Sequence, residues 1–257
     1  MTKSKYRRPY WVVLQVACAL GLTAIVALSL WWGFLRESHA SVDAGIRVQA
    51  DFAKLDDGAT PSAFDGGQPM SLTSSPNDAG AQLRIVHGRL TYSPGDIEGV
   101  AAGYVSTRDL GASVKGLGAR FVFNPGAGTH GALVLAVSRG IKDSGTPLIR
   151  PIPVHLVITA LNWNLGIMRT GDAPLEVIAA GDFARPLVED GATTYDVKIS
   201  IDGERLTLDL PGTQKRVVDP RIAQWEGDYA SFGLYSNHGT TDSVVGLQSV
   251  WASGVGG

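Results

Sequence analysis

The sequence predicts an all-β domain preceded by one N-terminal transmembrane helix. Three observations predict it. The uncharged run Trp11 to Leu35 is 25 residues long, enough to cross a hydrocarbon core of roughly 30 Å with some tilt. Beyond residue 40 no window of helical length carries an amphipathic stripe, whereas apolar residues recur with a period of two. Gly- and Pro-rich turn signals separate those alternating runs. The pattern amounts to about ten to thirteen short strands, which means a sandwich or a barrel. No internal repeat is visible, which counts against a propeller or solenoid.

In chain order, residues 1–10 form a basic tip with Lys3, Lys5, Arg7 and Arg8. The far side of the apolar run opens with Arg36 and Glu37, a weaker and balanced cluster. The positive-inside rule then keeps the N-terminus in the cytoplasm and exports the domain across the cytoplasmic membrane. Trp11, Trp31 and Trp32 lie near the ends of the 11–35 run, where indoles favour the interface. Ser38-His39-Ala40 offers the alternative of a cleaved signal peptide. A secretory apolar core is about 7–15 residues, so a retained anchor is the expectation. Both readings export the domain.

Cys18 lies inside the apolar run and reads as a small membrane residue rather than a lipidation site. It is the only cysteine, so the exported part has no internal disulfide and must be stabilised by its core. Four of the 22 Lys and Arg residues belong to the tip, leaving 18 against 24 acidic residues, a net of −6. That charge argues against nucleic acid, which needs clustered Lys and Arg to neutralise phosphates.

Residues 36–50 read as a short juxtamembrane linker, and 41–82 as turn-rich chain, part stalk and part irregular domain edge. Leu83–Val86 and Arg89–Tyr92 flank His87-Gly88, a tight hairpin. Strands are expected at Val100–Val105, Arg120–Phe123, Ala132–Val137, Val154–Leu161 and Leu175–Ala179. Tyr195, Val197, Ile199 and Ile201 alternate with polar residues, Gly203 turns the chain, and Leu206, Leu208 and Leu210 alternate again. Ala230, Phe232 and Leu234 repeat the pattern, and Val244–Trp251 closes it, with Trp251 expected in the core.

The stretch Tyr195 to Leu208 with its Asp202-Gly203 turn, then Gly227, then Phe232-Gly233-Leu234-Tyr235, resembles a concanavalin A-like (laminin-G-like) jelly-roll domain. Asp51-Phe52 with Asp56-Asp57-Gly58 resembles the opening of many such domains. The resemblance spans about 50–253 and implies a jelly-roll sandwich of two antiparallel sheets over 51–253. It is specific only over 195–236, and it implies a fold without a function.

Glycan hydrolysis needs two carboxylates flanking the scissile bond. Hydrolases of the resembling fold carry Glu-x-Asp-x-x-Glu on one strand, and that motif does not occur here. Glu176 and Asp182 are the first pair to test if the chain is a hydrolase; no catalytic set is expected. The better constellation is Asn162-Trp163-Asn164, with His155 earlier on the same expected strand. Amides supply paired donors and acceptors for sugar hydroxyls, and an indole face can stack on a pyranose ring. Trp163, Trp225 and Tyr235 could form such a platform; the competing reading is that these rings pack a core. The five histidines show no short zinc-ligand spacing. Asp228, Asn237 and Asp242 are weak calcium candidates, loop oxygens that otherwise cap turns. No cofactor is otherwise expected.

The leading expectation is a membrane-tethered, non-catalytic module that binds envelope polysaccharide. The second is a structural subunit that packs against another envelope or membrane protein, and the third is a glycan hydrolase. Ala- and Gly-rich composition without outer disulfides points to a bacterial, actinobacterial envelope.

Overall fold

The computed structural model describes residues 47–75, 82–93, 99–128, 130–141, 148–170, 174–236 and 243–254. The expected membrane helix with its basic tip, Cys18, Asn237 and Asp242 lie outside the described residues. Among the described residues no helix is long and apolar enough to cross a membrane. Those residues fall in one compact unit, 45–257.

The described residues of that unit form fifteen strands: β1 (Arg47–Asp51), β2 (Ser71–Ser75), β3 (Gln82–Val86), β4 (Arg89–Ser93), β5 (Ala101–Ser106), β6 (Val114–Phe123), β7 (Gly131–Ser138), β8 (Ile152–Ile158), β9 (Asn162–Met168), β10 (Glu176–Asp182), β11 (Tyr195–Asp202), β12 (Arg205–Leu210), β13 (Thr213–Val218), β14 (Tyr229–Ser236) and β15 (Val245–Gly254). They make two antiparallel sheets. One runs β13-β12-β11-β6-β15-β4-β3, with β1 as its eighth strand beside β15. The other runs β10-β9-β8-β7-β14-β5-β2. Strand β15 is shared along its length: its first residues pair with Leu90 and Thr91 of β4, and Ser249–Ser253 pair with β1.

The core lies between the sheets. Leu117, Phe121 and Phe123 of β6, Leu133 and Leu135 of β7, Leu156 and Ile158 of β8, and Phe232 of β14 are fully buried. Burying one such side chain stabilises by about 1.5–3 kcal/mol. The period-two alternation decides which face each strand turns inward. In β11, Val197, Ile199 and Ile201 are buried while Asp196, Lys198 and Asp202 are exposed. The β3–β4 hairpin turns through His87 at φ 51° and Gly88 at φ 69°, the left-handed conformation that a two-residue hairpin turn requires.

Several elements depart from the sequence expectations. β1 and β2 come from the segment read as stalk and turn-rich edge. β1 alternates exposed and buried residues but is only five residues long. β2 reads Ser-Leu-Thr-Ser-Ser and is half-buried throughout, so neither had an apolar run to mark it. β13, Thr-Gln-Lys-Arg-Val-Val, is an edge strand with an exposed polar side. His155 and Asn164 lie not on one strand but on the neighbouring strands β8 and β9. Trp251 is not in the core. Its neighbours Val250 and Ala252 point inward, so Trp251 is half-buried on the outer face of the eight-stranded sheet.

Candidate functional site

In β9 the alternation assigns the aromatic and the amides to opposite sides. Trp163, Leu165 and Ile167 belong to the core, with Trp163 only 4% exposed. Asn162 and Asn164 therefore project from the outer face of the seven-stranded sheet, both half-buried. In β14, Phe232 and Leu234 point inward, which places Tyr235 on that same outer face. Trp225, after a 3-10 turn at Ile222–Gln224, is 6% exposed and packs in the core. Of the five binding residues expected from sequence, the fold thus gathers Asn162, Asn164 and Tyr235 on one face. It places both tryptophans beneath it or elsewhere in the core.

Strand register aligns this face in rows. One row runs across six strands from Thr73 through Tyr104, Gly233, Val134 and Val157 to Asn164. Neighbouring strands lie about 4.8 Å apart, so the row is roughly 24 Å long. A parallel row carries Ser231, Ala136, His155 and Gly166. Tyr104 lies across Gly233: a Cβ there would sit 2.6 Å from the ring's Cε1. Ala102, Tyr104, Val134 and Ala136 form a buried apolar cluster, with Leu148 and Ile152 packed on it and Val157, Met168 and Tyr235 at its margin.

Among the described residues, three polar atoms on this face are buried without a hydrogen-bond partner: Thr73 Oγ1, His155 Nδ1 and Asn164 Oδ1. Unsatisfied buried polar groups cost stability and are uncommon. Burial, with Arg150 adding to it, lowers the His155 pKa to about 4, so its imidazole is neutral near pH 7. Burial raises the Tyr104 phenol to about 12, helped by Tyr235 and Tyr92. The face thus holds uncharged donors and acceptors, buried just beneath its surface, beside two tyrosines. Thr73 and Tyr104 escaped sequence analysis. Tyr104 sits in Ala-Ala-Gly-Tyr-Val-Ser, buried on both faces, so no alternation in hydropathy distinguishes its side.

Glu176 and Asp182 stand at opposite ends of β10. Six residues of strand separate them by roughly 20 Å, too far to flank one glycosidic bond, which requires about 5–9.5 Å. Glu176 accepts from Arg169 Nε at 2.8 Å and from Arg221. These guanidiniums, Arg169 foremost, hold its carboxyl below the usual range, the opposite of what a general acid needs. Asp182 is exposed and pairs in register with Asn162. Asp228 is half-buried, and among the described residues no three His, Cys, Asp or Glu side chains converge as metal ligands.

No protein-family profile matches the sequence, and no curated protein matches it. Solved structures do match in shape. The CBM2 module of the evolved Dit of Lactobacillus casei BL23 phage J-1 superposes with TM-score 0.55 at 13% identity, over 82% of this chain and 96% of that one. The GH16 protein of the Bacteroides ovatus mixed-linkage glucan locus, solved with a G4G4G3G product, gives 0.50 at 12%, over 79% and 98%. The Emp46p carbohydrate recognition domain, in a mutant form, gives 0.50 at 10%, over 71% and 87%. At such identities the likeness is one of fold alone: this unit is a β-sandwich of two antiparallel sheets, as in these structures.

Proposed function

We propose that the chain is a membrane-tethered extracytoplasmic module that binds envelope polysaccharide through the outer face of its seven-stranded sheet. The observation that carries this reading is the set of three unpartnered buried polar atoms, Thr73 Oγ1, His155 Nδ1 and Asn164 Oδ1, on one face. Sugar hydroxyls both donate and accept, so they can satisfy such atoms without bringing charge. Half-buried Tyr235 adds apolar ring surface against which a sugar can lie, with Tyr104 buried beside it. The resemblance in fold to one CBM2 module and to a carbohydrate recognition domain agrees with this use. The run 11–35 supplies the tether. A non-catalytic role is supported by the carboxylates: among the described strand residues of this face, Asp182 is the only one.

The second reading, a subunit packing on another envelope protein, draws on the partly exposed Val157, Met168 and Tyr235 at the margin of the apolar cluster on the same face. One experiment separates the two. Full-length protein in detergent micelles is incubated with a glycan array and, in parallel, with solubilised envelope. Retention of a glycan, weakened about tenfold or more by Asn164→Ala and by Tyr235→Ala, supports the polysaccharide reading. A stoichiometric protein partner with no glycan retained overturns it.

A further inference from the structure

The outer face of the eight-stranded sheet holds a cleft of about 770 Å³, within the range of small-molecule sites. Strand register lays one row of side chains through it: Gln49, Trp251, Gly118, Lys198 and Asp209. Trp251 lies along β6. A Cβ on Gly118 would come 2.6 Å from its Nε1, and one on Gly116 would come 3.2 Å from its Cζ3. Two glycines in one strand thus clear a bed for the indole, with its Nε1 at Gly118, the residue that pairs with Lys198. The Arg47 guanidinium stands 5.6 Å over the ring centroid, a cation–π contact at its long limit.

Most charges in the cleft are already paired. Lys54 meets Asp51 and Asp65 at 3.5 and 3.6 Å, and Arg120 meets Asp196 at 2.9 Å. Asp209 accepts from Gln214 rather than from Lys198 opposite it. Among the described residues, Arg47 and Lys198 have no carboxylate partner, and Arg89 donates to the Gly191 carbonyl rather than to a carboxylate. The lining residues include five Lys and Arg against four Asp, one net positive charge.

We propose that this cleft is a second saccharide site, separate from the seven-stranded face, that takes a sugar residue bearing a carboxylate. The sugar ring lies against the Arg47–Trp251 pair, since one side of the indole rests on β6 and the Arg47 guanidinium stands over the ring. Arg47 and Lys198 receive the single negative charge, Arg47 in the forked geometry that suits a carboxylate. Gln49 and Asp209, at the two ends of a row roughly 19 Å long, receive hydroxyls of the flanking residues of an oligosaccharide. Acceptors beside donors suit a polyol: a bare anion would meet Asp209 as a repulsive neighbour, and only a group with hydroxyls uses both. The inference does not depend on the seven-stranded face binding anything.

The test uses full-length protein in detergent micelles titrated with trigalacturonate, with its methyl ester and with inorganic phosphate, followed by calorimetry and tryptophan fluorescence. Saturable binding of trigalacturonate is expected, with the ester weaker by about tenfold or more. Lys198→Gln and Trp251→Ala are each expected to weaken it about tenfold, while Asn164→Ala leaves it unchanged. Circular dichroism establishes that each variant is folded, and Trp251→Phe serves if Trp251→Ala is not. No binding, equal affinity for acid and ester, or undiminished binding by folded Lys198→Gln overturns the proposal. So does competition by phosphate at matched charge, which would mark a plain anion site. Loss with Asn164→Ala alone would assign the carboxylated sugar to the other sheet and also overturn it.

Discussion

On the outer face of the seven-stranded sheet, Tyr104 lies across Gly233; on the outer face of the eight-stranded sheet, Trp251 lies across Gly116 and Gly118. The device is the same: a strand glycine removes its Cβ so that an aromatic ring can lie flat against the backbone. The surroundings differ. Tyr104 sits among Ala102, Val134 and Ala136, with uncharged His155 and Asn164 on the same face. Trp251 sits among Arg47, Lys198 and Asp209. A ring in an uncharged, largely dry setting can select a neutral ligand through hydrogen bonds. A ring in a wet, charged setting selects by charge. The first face should therefore respond to pH through burial, and the second to salt through screening.

The sharpest break between inward and outward aromatics is expected from truncating two tryptophans. Trp163→Ala removes a side chain that is 4% exposed, leaves a cavity in the core and should cost about 3–5 kcal/mol. Trp251→Ala removes a half-buried ring from an open cleft and should cost about 1–2 kcal/mol. Equilibrium urea unfolding followed by far-UV circular dichroism measures both. Similar losses would mean that Trp251 is packed as tightly as the core and is no platform.

The next largest effect is the pH dependence of the seven-stranded face. His155 has a folded pKa of about 4 against an ordinary 6.5, from burial and from Arg150. Between these values the unfolded chain binds a proton that the folded chain does not. Stability from this residue is complete above about pH 6.5 and is lost as pH falls toward 4, on the order of 2–3 kcal/mol. Unfolding free energies at pH 7.5 and 4.5, wild type against His155→Gln, test the sign. A variant with an undiminished acid loss would place that loss elsewhere.

The two tryptophans also show how much could be read from sequence. Alternation identifies strands such as β11 and β12 and says which residues share a face, because a period of two is local. It does not say which face is the core when both are apolar. Trp163 stands between two asparagines and looks like a binding residue. Trp251 ends an apolar strand and looks like core. The structure puts Trp163 in the core, the competing reading given for it, and takes Trp251 out of the core. The reason is non-local: the inward face is set by the opposite sheet, and strand pairing puts Gly116 and Gly118 beneath Trp251. β2, with three serines, owes its place to pairing with β5 and had no apolar signal of its own. Asn162, Asn164 and Tyr235 share a face because β8 and β7 join β9 to β14 in one sheet, an order that their sequence separations do not contain.

Adding a methyl group beneath each ring compares the two beds directly. In Gly118→Ala the new Cβ would meet the Val197 carbonyl oxygen at 2.7 Å as well as the indole. That carbonyl belongs to a paired strand and cannot move away cheaply. In Gly233→Ala the new Cβ would meet the Tyr104 ring at 2.6 Å and Val134 Cβ at 3.1 Å, and the ring can turn aside. Overpacking of this kind costs about 1–3 kcal/mol. Gly118→Ala should fall at the upper end and Gly233→Ala lower, read as shifts in urea midpoint. The reverse order would mean that Tyr104 is the more rigidly held ring.

The smallest effect concerns the charges of the eight-stranded face. Arg120 holds Asp196 with Nε to Oδ1 at 2.9 Å and a second nitrogen to Oδ2 at 3.2 Å. This two-point geometry is favourable, but the side chains are 53% and 69% exposed. Water and salt screen such a pair, so its coupling should be about 0.2–1 kcal/mol at low salt. A double-mutant cycle with Arg120→Ala and Asp196→Ala measures it, because residues that pair directly do not act additively. In about 1 M salt the Debye length falls to about 3 Å and the coupling should approach zero. The same salt should leave the His155-dependent acid loss nearly intact, since that loss arises from burial. A coupling that persisted at high salt would show that the cleft is drier than its exposure indicates, and salt would then no longer tell the two faces apart.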